Sequence, residues 1–132
     1  MKKITVLILP IITLVLEILP YGAVCNFANP DGEPWRRTFS YFDLTPFGYA
    51  NFAPLITAIF TCIILVMLIV YCITDKITFA IKTRNILFVC ATLSLGPLVL
   101  GISYYSIVAL FITLTLILEI LYLFYYLKKV QN

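Results

Sequence analysis

Two acidic residues lie inside long apolar stretches of the sequence and are its strongest candidates for chemistry. Glu17 lies in the apolar run that begins at Ile4, and Glu119 lies in the run that ends at Leu127. A charged carboxyl group is costly in hydrocarbon, so it takes up a proton, pairs with another group or lines a wet cavity. Each glutamate is therefore a candidate for handling protons or cations.

Polar side chains share a helix face with each glutamate. At helical spacing, Thr13 and Tyr21 lie on the face of Glu17. The matching face of the last apolar run carries Thr115, Glu119, Tyr122 and Tyr126. We expect both faces to point into a helix bundle. Two interpretations stay open: proton or cation handling, or hydrogen bonds between helices, which typically contribute about 0.6 kcal/mol each.

A second group of candidates surrounds the single tryptophan in the polar segment 25–53. Arginine supplies bidentate contacts to phosphates and carboxylates, and an exposed tryptophan is a common anchor at interfaces. The segment is therefore either a docking surface for a partner protein or lipid phosphates, or a loop whose charges pair with each other. The candidate residues are Asp31, Glu33, Trp35, Arg36, Arg37 and Asp43.

Composition excludes most other chemistry. Histidine is absent, and none of the four cysteines forms a C-x-x-C pair. The sequence also contains no evident nucleophile with an adjacent base, so we expect neither an enzyme nor a metal or cofactor site. The basic residues lie at the ends of apolar runs, which favours membrane anchoring over nucleic-acid binding.

The elements that must position these residues are membrane spans. Of the 132 residues, 63% are hydrophobic and only 11% are charged, whereas about a quarter are charged in soluble domains. We predict an all-α membrane protein with one antiparallel four-helix domain over residues 1–132. Its spans are predicted at about 4–24, 54–74, 86–100 and 105–127, with a polar connection at 75–85.

The limits of these spans follow from charge, length and helix breakers. A signal peptide is the alternative for the first run, but Glu17 interrupts it and the residues before Cys25 make a poor cleavage site. Residues 86–127 as one helix would measure about 63 Å, twice the membrane thickness. The chain must therefore turn at Gly96-Pro97 or within 101–106.

The segment 25–53 is predicted to be a long aromatic outer loop. Its first half contains a Pro-Asp-Gly turn signal, and its second half mixes aromatic and polar residues that suit the headgroup layer. We expect the second half to lie along the membrane surface. A short helix is predicted near 43–46, with Asp43 as its N-cap and Pro46 in its first turn.

Positive charge predicts the orientation. Placing both termini and the 75–85 connection in the cytoplasm collects seven basic residues there and leaves only Arg36 and Arg37 outside. This distribution follows the positive-inside rule and predicts a plasma membrane protein, with a bacterial one expected. The seven residues are Lys2, Lys3, Lys76, Lys82, Arg84, Lys128 and Lys129.

Length, span count and the stretch Leu16-Glu17-Ile18 resemble the small multidrug resistance exporters. In that family a glutamate in the first span couples protons to cationic drugs, and the resemblance implies this role for Glu17. The long outer loop and the second carboxylate depart from the family. The long first outer loop with a tryptophan is also similar to that of claudin-like proteins, but their paired loop cysteines are missing.

Together these features predict an accessory or interaction subunit that uses its outer loop and helix faces. Its expected partners are the lipid bilayer and either another membrane protein or a second copy of the chain. The alternative is a proton- or cation-coupled small-molecule transporter that uses Glu17 and Glu119. Four helices enclose little space, so we expect such a transporter to be a dimer.

Overall fold

A computed structural model describes residues 3–132, and most of them are helical. A 3₁₀ segment at Lys3–Leu7 leads directly into the first α-helix, and a second 3₁₀ segment at Ile102–Tyr104 precedes the last one. The regular elements are α1 (Ile8–Ile18), β1 (Ala23–Phe27), β2 (Trp35–Phe39), α2 (Leu44–Gly48), α3 (Ala53–Thr74), α4 (Ile77–Ser94), α5 (Pro97–Leu100) and α6 (Ile107–Gln131).

Helix α1 ends earlier than the predicted span 4–24. Its C-cap residue Leu19 is extended, with φ −60° and ψ 138°, because a residue that precedes proline is pushed out of the helical region. Pro20 is that proline. The predicted C-terminal boundary of the first span was therefore wrong by about one and a half turns.

The outer segment contains a β-hairpin, which the sequence did not predict, within a fold that is mostly helical. Strands β1 and β2 pair antiparallel, with Ala23 opposite Phe39 and Phe27 opposite Trp35. In the turn between them, the Asn29 side chain accepts a hydrogen bond from the backbone N–H of Asp31 at 3.2 Å. An isolated bridge between Ala23 and Tyr105 ties the hairpin to the segment before α6.

The predicted short helix in the second half of this segment is confirmed as α2. The Asp43 side chain accepts a hydrogen bond from the backbone N–H of Thr45 at 2.8 Å, and Pro46 lies in the first turn. Thr45 therefore holds the pKa of the Asp43 carboxyl below its ordinary value.

Helices α3 and α4 are joined by two residues, where a connection of eleven residues was predicted at 75–85. Asp75 ends α3 in the left-handed conformation with φ 59°, and its N–H donates to the Tyr71 carbonyl. Helix α4 then begins at Ile77 and includes Lys82 and Arg84. The predicted start of the third span at residue 86 was therefore wrong, whereas 54–74 agrees closely with α3.

The chain turns between α5 and α6 at the second predicted breaker, within 101–106. Leu95 and Gly96 separate α4 from the short α5, which begins at Pro97, and Gly101 has φ 135°, which favours glycine. Ser106 then caps α6 by accepting a hydrogen bond from the Ala109 N–H at 3.0 Å. Lys128 and Lys129 lie in the last turn of α6, where cations favour the helix dipole.

Two sets of contacts define the ends of the helix bundle formed by α1, α3, α4 and α6. At one end, Lys3 forms an ion pair with Asp75, and Thr5 contacts Tyr122 near the end of α6. At the other end, the hairpin contacts the 3₁₀ segment Ile102–Tyr104. We call these the terminal end and the hairpin end. The core between them contains Ile64, Leu68, Leu87, Ile112, Leu116 and Leu123.

Three segments are long and apolar enough to cross a membrane. They are Ala53–Thr74, Ile77–Leu100 and Ile107–Gln131, so that α4 and α5 together make the second of them. Large apolar side chains also cover much of the outer surface of these segments, including Ile59, Val66 and Leu118. These features suggest integration into a membrane.

Candidate functional site

The Glu17 side chain is fully buried and contacts α3. It lies in the last turn of α1, and its Oε1 accepts a hydrogen bond from Thr61 Oγ1 at 2.8 Å. Its Oε2 is also buried but has no hydrogen-bond partner in the described chain. One carboxylate oxygen is therefore held by a neighbouring helix, and the other is free to bind.

The Glu119 side chain is buried in the middle of α6 and lacks any such partner. It is 2% exposed, and neither of its carboxyl oxygens has a hydrogen-bond partner in the described chain. The Thr13–Thr115 bond lies one turn from each glutamate, with Glu17 on its hairpin side and Glu119 on its terminal side. The two glutamates, which lie 102 positions apart in the sequence, therefore both face the interior of the bundle but make no hydrogen bond to each other.

Other polar groups of α3 and α4 border these carboxyl groups. Thr57 is fully buried one turn before Thr61, and its hydroxyl has no partner. Cys90 on α4 lies 3.8 Å from the Thr61 hydroxyl and 3.7 Å from the Thr57 carbonyl. We call Glu17, Glu119, Thr57, Thr61 and Cys90 the carboxyl cluster.

The carboxyl cluster lies deep within the bundle. Thr61 follows the start of α3 by eight residues, which places the partner of Glu17 about 12 Å below the hairpin end of that helix. Glu119 is twelve residues from either end of α6, about 18 Å from each. Glu119 is thus remote from both ends of the bundle, whereas Glu17, in the last turn of α1, lies nearer the hairpin end.

The predicted polar faces of the first and last helices are partly brought together. Thr13 Oγ1 donates to Thr115 Oγ1 at 2.9 Å, which joins α1 to α6 beside the cluster. Tyr21 does not belong to this face, because α1 ends at Ile18 and the Tyr21 side chain is 57% exposed. The expectation that it shares the face of Glu17 was wrong.

Tyr122 and Tyr126 lie between the cluster and the terminal end. The Tyr122 hydroxyl is 2.5 Å from the Thr5 hydroxyl, and the Tyr71 hydroxyl donates to that of Tyr126 at 3.3 Å. The Tyr122 and Tyr126 rings are stacked, with centroids 6.3 Å apart. The α6 face that contains Thr115 and Glu119 therefore continues as hydroxyl groups toward the terminal end.

Tyr41 is a member of the site that the sequence did not indicate. Its side chain is 1% exposed, its hydroxyl has no partner, and its backbone N–H donates to the Glu17 carbonyl at 2.9 Å. Burial, and the nearby Glu17 carboxyl after it, raise the pKa of the phenol above its ordinary value, so it stays neutral. The sequence offered little signal, because this tyrosine stands among exposed aromatic residues.

The outer-loop candidates are divided between the two faces of β2. Trp35 is 57% exposed, and the Arg37 guanidinium lies 4.0 Å above its ring. Arg36 lies on the opposite face of the strand, where its Nε donates to the Ser103 carbonyl at 3.2 Å. The loop therefore presents an aromatic–cation pair on one face and a separate basic residue on the other.

The acidic candidates do not pair with these arginines. Asp31 and Glu33 lie exposed in and after the hairpin turn, and Asp43 caps α2. In residues 3–132 the one ion pair within 4.0 Å is Lys3 with Asp75. The interpretation that the loop charges pair with each other therefore does not describe this structure. No group of three or more Cys, Asp or Glu side chains in these residues could hold a metal ion.

Comparisons with known proteins found no protein family, no curated protein and no solved structure that matches the chain. The site geometry is therefore the basis for a functional conclusion.

Proposed function

We propose that this protein binds a proton or a monovalent cation at the carboxyl cluster and is a small proton- or cation-coupled transporter. The observation that carries this proposal is the environment of Glu119, whose two carboxyl oxygens are buried without a hydrogen-bond donor. An isolated buried carboxylate is very unfavourable, so the group needs a proton or a cation.

Hydrogen bonds between helices account for only part of the polar interior. Thr13 with Thr115 joins α1 to α6, and Thr61 with Glu17 joins α3 to α1. Glu119 makes no such bond. A glutamate whose only role was to hold helices together would be expected to contact a donor on a neighbouring helix, and this one does not.

Lys3–Ile18 forms the fourth membrane span of the proposed transporter. At rises of about 2.0 Å for the 3₁₀ part and 1.5 Å for α1, this segment is about 26 Å long, close to the hydrocarbon thickness of about 30 Å. Its outward side chains are apolar and include Ile8, Ile11 and Val15. Glu17 would then lie inside the membrane.

The proposed arrangement is an antiparallel four-span bundle whose terminal end faces the cytoplasm. Lys3, Lys76, Lys128 and Lys129 lie at or near that end, whereas Arg36 and Arg37 lie on the hairpin; Lys2 lies outside the described residues. The positive-inside rule favours this orientation. We further propose a dimer, because four helices enclose little space and neither glutamate lines the open cavities on the surface of the bundle.

The test is ion flux into liposomes that contain the purified protein. An entrapped pH dye reports proton entry under an imposed membrane potential, and sodium or potassium gradients replace the proton gradient in parallel samples. We expect flux with the wild-type protein and its loss to the level of protein-free liposomes for Glu17→Gln and for Glu119→Gln. Asp31→Asn is the matched control, because it makes the same acid-to-amide change on the exposed hairpin turn.

Thermal unfolding of each variant in detergent separates a lost site from a lost fold. Flux that persists unchanged in both folded glutamine variants would contradict the proposal. A wild-type protein that neither moves nor binds protons or alkali cations would contradict it as well.

An accessory or interaction subunit is the second candidate function. It is favoured by the contact of Trp35 with Arg37 on the hairpin surface. The Trp35 side chain is 57% exposed, and the Arg37 guanidinium forms no ion pair in residues 3–132. Exposed Trp and Arg side chains are frequent anchors at protein interfaces.

Native mass spectrometry on protein released gently from its own membrane tests this second candidate. We expect a stoichiometric complex with a larger membrane protein that Trp35→Ala and Arg37→Ala both weaken. Leu44→Ala is the control, since Leu44 is 70% exposed in α2. A wild-type chain that is recovered only alone or as a homodimer would exclude the accessory role.

A further inference from the structure

An open cavity of about 440 Å³ lies at the hairpin end, between the hairpin and the 3₁₀ segment Ile102–Tyr104. It shares no residue with the carboxyl cluster. Its size is within the range of cavities that bind small organic groups. It is lined by Asn26, Glu33, Pro34, Arg36, Ser103 and Tyr104.

The cavity contains one cationic and one anionic side chain that do not neutralise each other. The Arg36 Nε donates to the Ser103 carbonyl, which orients the guanidinium and leaves its two terminal nitrogens without a partner in the described chain. Glu33 forms no ion pair or hydrogen bond there. Asn26 donates to the Ser103 hydroxyl at 3.1 Å and fixes the wall between the hairpin and the 3₁₀ segment.

The chain on either side of Ser103 and Tyr104 has exposed apolar side chains. Ile102, which precedes Ser103 in the sequence, is 86% exposed, and Val99 in the adjoining α5 is 89% exposed. Ile107, at the start of α6, is 75% exposed. A site with both charges therefore borders a surface that needs an apolar covering. This combination matches the boundary between headgroups and hydrocarbon in a membrane.

We propose that this cavity binds the headgroup of a zwitterionic phospholipid whose cation is a primary ammonium. The phosphate contacts the free guanidinium nitrogens of Arg36, and the ammonium donates to the Glu33 carboxylate. The acyl chains lie against Val99 and Ile102. The inference depends on the membrane placement of the bundle but not on ion transport.

Charge and hydrogen bonding define this choice of headgroup. Arginine binds phosphate through two parallel N–H bonds, so a free guanidinium edge suits a phosphodiester. An anionic headgroup without an amine would leave the Glu33 charge unpaired beside a phosphate. A quaternary ammonium has no N–H to donate to a carboxylate. Phosphatidylethanolamine has both groups, a phosphodiester for Arg36 and a primary ammonium that can donate to Glu33.

The test compares lipids retained by the purified full chain in native mass spectrometry. The protein is exchanged into detergent with equal amounts of phosphatidylethanolamine, phosphatidylcholine and phosphatidylglycerol of identical acyl chains. We expect the wild-type protein to retain phosphatidylethanolamine over the other two at low salt. Glu33→Gln should reduce its preference over phosphatidylcholine about three- to fivefold, as expected for a partly exposed ion pair.

Matched variants and a soluble competitor make the test specific. Arg36→Gln should lower retention of phosphatidylethanolamine, whereas Arg37→Gln, on the opposite face of β2 and stacked on Trp35, should not. Soluble phosphoethanolamine should not displace the lipid at equal concentration, because it lacks acyl chains. Displacement by this compound at equal concentration would show that the site takes a free zwitterion and would overturn the lipid proposal.

Three other results would overturn it too. They are equal retention of all three lipids by the wild-type protein, a preference for phosphatidylglycerol, and an unchanged preference in Glu33→Gln. Loss of ion flux in the glutamate variants bears on the carboxyl cluster alone, so the two proposals fail separately.

Discussion

A single hydroxyl proton links Glu17 to the backbone of α3. Thr61 Oγ1 lies 2.8 Å from Glu17 Oε1 and 3.1 Å from the Thr57 carbonyl. A threonine hydroxyl has one hydrogen to donate, so it cannot donate to both acceptors at once. An ionised Glu17 attracts this hydrogen, whereas a protonated Glu17 can donate to Thr61 and allow Thr61 to donate to Thr57. The protonation state of Glu17 is therefore coupled to a hydrogen bond within α3.

The first prediction is that Thr61→Val destabilises the protein by about 1–2 kcal/mol, since a buried carboxyl oxygen then loses its donor. Thr61→Ser keeps the hydroxyl and should stay within about 0.5 kcal/mol of the wild-type protein. Reversible unfolding in detergent measures both. Combining Thr61→Val with Glu17→Gln should give less than the sum of the two effects, because the residues are in contact. Full additivity would mean that the bond contributes nothing to stability.

Sequence alone identified the two glutamates but not the groups around them. A carboxyl group in an apolar run is conspicuous, and Thr13 and Thr115 follow from helical spacing. Thr57 and Thr61 fit a pattern that allows close helix approach, and that pattern does not specify a partner for Glu17. Tyr41 was missed because its burial depends on a backbone bond to the Glu17 carbonyl across 24 positions of sequence.

At the scale of elements, the errors in the predicted spans have one cause. Hydropathy indicates where the chain is apolar, whereas backbone geometry sets where a helix ends. Pro20 forces Leu19 out of the helix while the sequence is still apolar. The stretch 77–95 has no proline or glycine, so α4 continues through Lys82 and Arg84 although these residues are polar. The sequence did not predict the hairpin, because its strand-forming residues are scattered among turn residues.

The contact of the junction between α4 and α5 with the start of α3 yields the second prediction. A Cβ added at Gly96 would lie 2.5 Å from the Ala53 Cβ and 2.9 Å from the Leu93 carbonyl. Gly96→Ala should therefore destabilise the fold by about 1–3 kcal/mol, the usual effect of overpacking. Gly48→Ala is the control, because nothing lies within 4 Å of its added Cβ. Thermal unfolding of both variants in detergent provides the comparison.

A compensating change tests whether the crowding itself is responsible. Ala53→Gly removes the nearest Cβ and should restore part of the stability lost in Gly96→Ala. If Gly96→Ala unfolds at the temperature of Gly48→Ala, the two helices do not approach as closely as described.

At the scale of the whole molecule, the polar groups are ordered along the bundle. The interior passes from the tyrosine hydroxyls near the terminal end, through the carboxyl cluster, to buried Tyr41 near the hairpin end. Basic residues are concentrated near the terminal end, and the proposed lipid site is near the hairpin. The two approaches to the carboxyl cluster therefore differ, with tyrosine hydroxyls on the terminal side and a buried phenol on the hairpin side.

The last prediction concerns which end faces outward. Gly32→Cys places a thiol in the open hairpin turn, where the nearest atom to the new Cβ is 3.7 Å away, and Gln131→Cys places one at the exposed end of α6. If the basic end faces the cytoplasm, a membrane-impermeant maleimide should label the hairpin thiol in intact cells and the α6 thiol only after lysis. The wild-type chain controls for its own cysteines, of which Cys25 and Cys90 are buried. Labelling of Gln131→Cys in intact cells would reverse the orientation, and Arg36 and Glu33 would then face the cytoplasmic leaflet.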